Sequence, residues 1–204
     1  MKAKPARSGQ SPRSPGPRST TTRRPARSSR NVFVIHGRDE HFREKLFELL
    51  RAVDLHPMEW EKLVSLTRHT APPLLTVVQT AIRNAQAIVV LLTPDDIVKL
   101  HPSLYIQQES DGKAAMQPRP SVLIELGMAL ASCAERTIIV EVGELRPVAD
   151  LGGVNVVRFD GTEGAIGKLI QRLKNAGCPV DDSGTDWRNR RRFVDIESYR
   201  RGPF

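Results

Sequence analysis

Three short apolar runs constrain this chain more than any other feature: Asn31–Ile35 (NVFVI), Ala87–Leu92 (AIVVLL) and Thr137–Val142 (TIIVEV). Each is too brief for a helix. The second has no polar side chain on either face, as a strand covered on both sides requires. Between them the apolar spacing changes to that of a helix. After the first run, Asp39 is a plausible N-cap for a helix carrying Phe42, Leu46, Leu49, Leu50 and Val53. Pro72-Pro73 opens another helix reaching Asn84, Pro120 opens one to about Ala134, and Glu163–Asn175 reads as a last amphipathic helix. His56–Trp60 and Val154–Arg158 complete five strands, with a polar loop after Trp60 and a long aperiodic connection over Leu100–Arg119. Strands alternating with helices imply an α/β chain with a flavodoxin-like, doubly wound five-stranded parallel sheet and helices on both faces. Ligands of such sheets bind beyond the carboxyl ends of the strands, where strand order reverses.

Charge divides the chain into three parts. Residues 1–30 hold nine of the 31 Lys and Arg residues and no acid, so the rest of the chain is close to neutral despite the overall charge of +8. The same segment is rich in Pro, Ser and Arg and lacks Val, Ile, Leu and Phe. It reads as a disordered basic tail, with weak affinity for nucleic acid or anionic surfaces as its expected property. Residues 31–176 form the expected domain. Residues 177–204 are a polar, Arg-rich extension in which Trp187, Phe193 and Tyr199 allow either docking or a loose chain. No apolar stretch nears the ~20 residues that span a bilayer, and two cysteines, Cys133 and Cys178, make neither a disulfide framework nor a metal site. A cytoplasmic protein without metal or membrane partner is the expectation.

The most informative segment for chemistry is Arg119–Ala131 (RPSVLIELGMALA), where Glu125 is the only polar side chain from Val122 onward. A helix apolar around most of its circumference is expected to pack on several sides. A carboxylate within it carries a desolvation cost unless a partner compensates. Glu125 flanks the stripe Val122, Leu126, Ala129, Cys133, so it reads either as a structural ion-pair member or as a functional acid. His36-Gly37-Arg38-Asp39 marks the first strand-to-helix turn, where a helix N-terminus and Arg38 form a seat for a phosphate. Gly and Asp there also suit a plain turn and cap. There is no GxGxxG and no GxxxxGK[ST]. Trp60, Asp95, Arg119 and Asp150 fall in other segments expected at the carboxyl ends of strands, and together they place polar groups around one crevice.

The blocks VFVIHGRDE, PMEWEKL, AIVVLLTPDD, RPSVLIELGMAL and RTIIVEVGELRP with Asp150 stand in an order that resembles the bacterial TIR-like domain of predicted nucleotide-binding proteins. This is the effector domain of bacterial STING-TIR and Pycsar antiviral proteins. The similarity runs from about Val32 to Arg158. It implies an NAD⁺ glycohydrolase active on assembly, with NAD⁺ as substrate, no cofactor, and Glu125 at the catalytic position. It also implies that Asp150 and the His36–Asp39 turn face the nucleotide, and that a homo-oligomer forms through TIR-like surfaces. Ser121 stands where the family usually has Asn. No sensor module accompanies the domain, so a separate sensor protein is the implied partner.

One dominant carboxylate suits that reaction. Breaking the nicotinamide–ribose bond passes through an oxocarbenium-like centre and releases a neutral base, so no strong general acid is needed. In the implied site Arg38 takes the pyrophosphate, and Trp60 or the Leu100–Arg119 connection covers the rings. Two rivals remain: a non-enzymatic TIR-like nucleotide-binding or scaffold protein, and a nucleoside deoxyribosyltransferase-like enzyme that uses a lone carboxylate as nucleophile.

Overall fold

The computed structural model describes residues 29–105, 112–148, 151 and 153–203. Residues 1–28 of the basic tail lie outside these. The tail's last two residues belong to the domain instead: the Ser29 N–H donates to Gln86, and Arg30 pairs with Asp54 and donates to Pro179 O.

The strands are β1 (Asn31–Ile35), β2 (His56–Pro57), β3 (Ala87–Leu92), β4 (Asp96–Val98), β5 (Ala115–Gln117), β6 (Thr137–Val142) and β7 (Val157–Phe159). The helices are α1 (Glu40–Ala52), α2 (Trp60–Leu66), α3 (Leu74–Asn84), α4 (Pro120–Cys133) and α5 (Glu163–Asn175). Five strands form one parallel sheet in the order β2-β1-β3-β6-β7. The order reverses between β1 and β3, and the carboxyl ends of those strands frame the crevice expected for this fold. All six residues of β3 are buried, as its position at the centre of the sheet demands.

Two cores sandwich the sheet. On one face Phe42, Leu46, Leu49 and Leu50 of α1 and Ile166, Leu169 and Leu173 of α5 pack on Val34, Val89 and Val140. On the other, Val78 and Ile82 of α3 and Val122, Leu126 and Ala129 of α4 pack on Phe33, Ile35 and Val90. The C-terminal extension is docked on the first face. Phe193 is buried between Phe42 and Phe159, with ring centroids 5.9 and 4.8 Å away, and Trp187 and Ile196 join the same core. At Gly143 (φ +69°) a side chain would overlap Ser198 O, so a residue without Cβ lets the extension's backbone lie against the end of β6.

Several expectations change. Trp60 does not close a strand: β2 stops at Pro57, and Trp60 opens α2 inside the segment expected to be a loop. The connection after β3 holds the antiparallel pair β4–β5. The last strand lies at Val157–Phe159, one to three residues later than expected, because it pairs with Val140–Val142 of β6. Nor is α4 packed on several sides. Only Val122, Leu126, Ala129 and Cys133 are buried, while Ile124 is 65% exposed. Among the described residues no helix is long and apolar enough to cross a membrane.

Candidate active site

Glu125 reaches its place because α4 begins at Pro120, whose missing N–H is harmless in a first turn, and because its buried stripe turns the next position toward the sheet edge. It lines a cleft of about 280 Å³ with His36 and the strand Phe33–Ile35, Arg43 and Phe47 of α1, Trp60 and Leu63 of α2, and Leu74 and Val78 of α3. The cleft exists because β2 pairs only with Asn31 and Val32, leaving the rest of β1 without a strand on that side. Trp60, 49% exposed, stands at its wall.

The cleft's electrostatics set Glu125 apart. Burial pushes its carboxyl above the ordinary glutamate range, and no neighbouring cation opposes the shift. Among the described residues it makes neither a hydrogen bond nor an ion pair. Among the described residues lining the cleft the one cation is Arg43, which is engaged by Glu40 at 2.6 Å and lies over the Phe47 ring. Burial also lowers the His36 pKa, favouring the neutral ring. Its Nδ1 is 3.0 Å from Gly37 O. A carbonyl only accepts, so Nδ1 carries the proton and Nε2 is left as an acceptor.

The other expected residues collect at a second place, the tops of β1 and β3. Asp95 Oδ2 accepts from the Arg38 backbone N–H at 3.1 Å, and Oδ1 accepts from Thr93 Oγ1 at 3.0 Å. Asp39 caps α1 by accepting from Phe42 N–H at 3.0 Å. A side chain at position 37 would overlap Asp95 Oδ2, and the Arg119 stem lies on the same spot, so Gly37 is needed for this approach. The two carboxylates are nearly buried, with side chains 7% and 4% exposed, and Arg201 of the C-terminal extension stands 3.5 Å from Asp39 and 3.9 Å from Asp95.

The α1 N-terminus expected to seat a phosphate is thus occupied by its own Asp39 cap, with a second carboxylate beside it, while Arg38 is exposed. The single crevice expected from sequence resolves into two neighbourhoods. One contains His36, Trp60 and Glu125. The other contains Gly37, Arg38, Asp39, Asp95 and Arg119. Asp150 lies outside the described residues. Sequence reasoning did not find Leu74 and Val78, which carried only a helical core signal, or Arg201, one of many arginines in a polar stretch. Among the described residues no group of three or more His, Cys, Asp or Glu side chains is placed to hold a metal ion.

No curated protein matches the chain. The family model of the CAP12/Pycsar effector protein TIR domain matches residues 31–161, a span that holds the whole parallel sheet, the cleft and Glu125. With the strand order 2-1-3-6-7, and with a match over more than half of its length, this chain belongs to the CAP12/Pycsar effector TIR-domain family.

Proposed function

We propose that this TIR-type effector is an NAD⁺ glycohydrolase that releases nicotinamide and ADP-ribose, with Glu125 as its catalytic residue. The observation that carries this reading is a partly buried carboxylate, unpaired among the described residues, in a cleft beside an exposed tryptophan. A structural ion-pair member has a partner. Glu125 has none among the described residues.

The chemistry follows from that environment. As the glycosidic bond lengthens, positive charge grows on the anomeric carbon and the ring oxygen, and a carboxylate in a low-dielectric cleft stabilises that charge more than it would in water. Among the described residues no cation competes for Glu125, so its interaction is strongest in the transition state, the condition for acceleration. The leaving base departs neutral and requires no proton. Trp60 offers a flat apolar face to the pyridinium, and Leu63 and Val78 line the same cleft. Water adds to the anomeric carbon as the carbon–nitrogen bond breaks, its oxygen becoming the new hydroxyl of ADP-ribose, and its surplus proton passes to the Glu125 carboxylate and then to solvent. A 280 Å³ cleft accommodates the nicotinamide and its ribose, and leaves the rest of the dinucleotide outside.

Activity on assembly is part of the proposal. Leu74, Leu75, Trp60 and Ile124 expose apolar surface on the helices that bound the cleft, a face suited to another copy of the chain. An antiviral role with a separate sensor, in the cytoplasm, follows from the family resemblance. The test is NAD⁺ consumption with chromatographic product identification, at protein concentrations that drive association, for the wild type and Glu125→Gln. Nicotinamide release by the wild type and its loss in the variant are expected. Absence of release from self-associated wild-type protein would overturn the proposal in favour of a scaffold.

A further inference from the structure

The sheet register supplies a ligand-binding feature that no side chain provides. His56 N–H donates to Arg30 O at 2.8 Å and Met58 N–H donates to Val32 O at 2.9 Å. Even-numbered residues of β1 therefore turn their backbone groups toward β2. Odd-numbered residues face β3, as the Gln86 N–H to Asn31 O bond at 2.8 Å shows. The next even residue is Val34. Pairing with β2 has ended by then, with Val32 opposite Pro57 as the last pair.

The register turns the Val34 N–H and C=O away from β3, and among the described residues neither β2 nor any loop residue bonds to them. They point where β2 would continue, and that space is the cleft. The lining confirms the direction. Phe33, Val34 and Ile35 all border the cleft, although the side chain of Val34 enters one core and those of its neighbours the other. Three consecutive strand residues border one cavity only through the strand's edge.

A buried main-chain donor and acceptor without partners are costly. In an extended residue both point the same way, and one strand residue can exchange two hydrogen bonds with a single partner group. A primary carboxamide presents the matching acceptor and donor side by side. We propose that the open edge of β1 at Val34 is the recognition element for a planar aromatic carboxamide: the Val34 N–H donates to the amide oxygen, and Val34 C=O accepts from the amide nitrogen.

This rests on the glycohydrolase reading, in which the base bonded to the carbon facing Glu125 is nicotinamide. An aminopurine edge offers the same donor–acceptor pair. The single-ring cleft and the position of Glu125 favour the carboxamide. The edge would hold the pyridine ring against Trp60 and define the base that is accepted.

The test uses the full chain labelled with ¹⁵N at valine and tryptophan, titrated with nicotinamide, nicotinic acid, 3-acetylpyridine and adenosine monophosphate. Nicotinamide is expected to move the Val34 amide and Trp60 indole resonances together, with one binding constant, and to slow Val34 hydrogen exchange. Nicotinic acid and 3-acetylpyridine lack the amide donor and should bind about tenfold more weakly, the effect of one lost hydrogen bond. Adenosine monophosphate should leave Val34 unmoved.

A nicotinamide response at Trp60 but not at Val34, equal affinity for 3-acetylpyridine, a preferential response of Val34 to the purine, or no response of either resonance would each overturn the edge assignment. NAD⁺ consumption on the same sample separates the two claims. Consumption with an unmoved Val34 removes the edge alone. A Val34 response without consumption in any associated state supports the edge and removes the glycohydrolase.

Discussion

Two acidic neighbourhoods lie near the carboxyl ends of this sheet, and they are built in opposite ways. Asp39 and Asp95 are nearly buried and engaged: Asp39 Oδ1 caps α1, Asp95 holds the Arg38 N–H, and Arg201 stands 3.5 Å from Asp39 Oδ2, which has no hydrogen bond among the described residues. Glu125 is only partly buried, yet no described residue pairs with it, and burial alone moves its pKa upward. A carboxylate whose interactions are all made in the folded ground state has little left for a reacting centre. The comparison thus separates acids that hold the first turn in place from an acid left available for chemistry. Electrostatic freedom distinguishes them better than depth of burial does.

Four substitutions or conditions would break or sharpen that contrast. The largest effect belongs to Glu125→Gln, which should lower kcat/KM for NAD⁺ about 10³-fold, the scale of removing one transition-state electrostatic contact; a stopped assay of nicotinamide release reads it. Gly37→Ala should destabilise the fold by about 2 kcal/mol. The new methyl group displaces Asp95 and breaks its bond to Arg38 N–H, leaving a buried carboxylate oxygen unpaired. Urea unfolding at constant m-value measures this.

Arg201→Ala should cost about 1–2 kcal/mol, less than loss of a fully buried ion-pair partner because Arg201 is partly exposed and its contacts are long. Arg201→Lys should restore part of the loss. Equal stabilities of Arg201→Ala and wild type would show that the two aspartates need no cation.

The smallest effect is a pH signature. Glu125 has a folded-state pKa above its unfolded value. The folded state therefore holds that proton at pH values where the unfolded chain has lost it. Its relative contribution to stability is full below the ordinary glutamate pKa and is lost as pH rises through the shifted one. Glu125→Gln, which never ionises, should be slightly more stable than wild type at neutral pH, with the difference vanishing as pH falls below the glutamate range. Melting curves across that range test the sign. The acid limb of the NAD⁺ cleavage profile should lie above the ordinary glutamate range for the same reason.

Much of the architecture was legible in the residues. Strands at Asn31–Ile35, Ala87–Leu92 and Thr137–Val142 have the expected bounds because each is a short, mostly buried apolar run. Asp39 caps α1 as its position before an apolar period implied. The misreadings share a cause. Helix α2 was hidden because only Leu63 of its seven residues is buried, which is too little to generate a period. The all-round apolar character of α4 suggested packing on several sides, yet hydrophobicity cannot say whether a face is covered by the same chain.

The same distinction applies to the site. Composition and spacing marked Glu125 as anomalous, since an acid amid hydrocarbon is visible in any linear reading. They also left it equally able to be an ion-pair member. That choice depended on which side chains surround it in space.

Local sequence determined the strands, the helices, the cap and the lone acid, because these arise from interactions among residues a few positions apart. Tertiary structure decided that β2 stops short and opens a cleft, that Arg201 crosses 106 positions of chain to stand beside Asp95, and that no cation among the described residues pairs with Glu125. Those outcomes depend on which groups meet across distant segments, and pairing, burial and dielectric are properties of that meeting rather than of any residue alone.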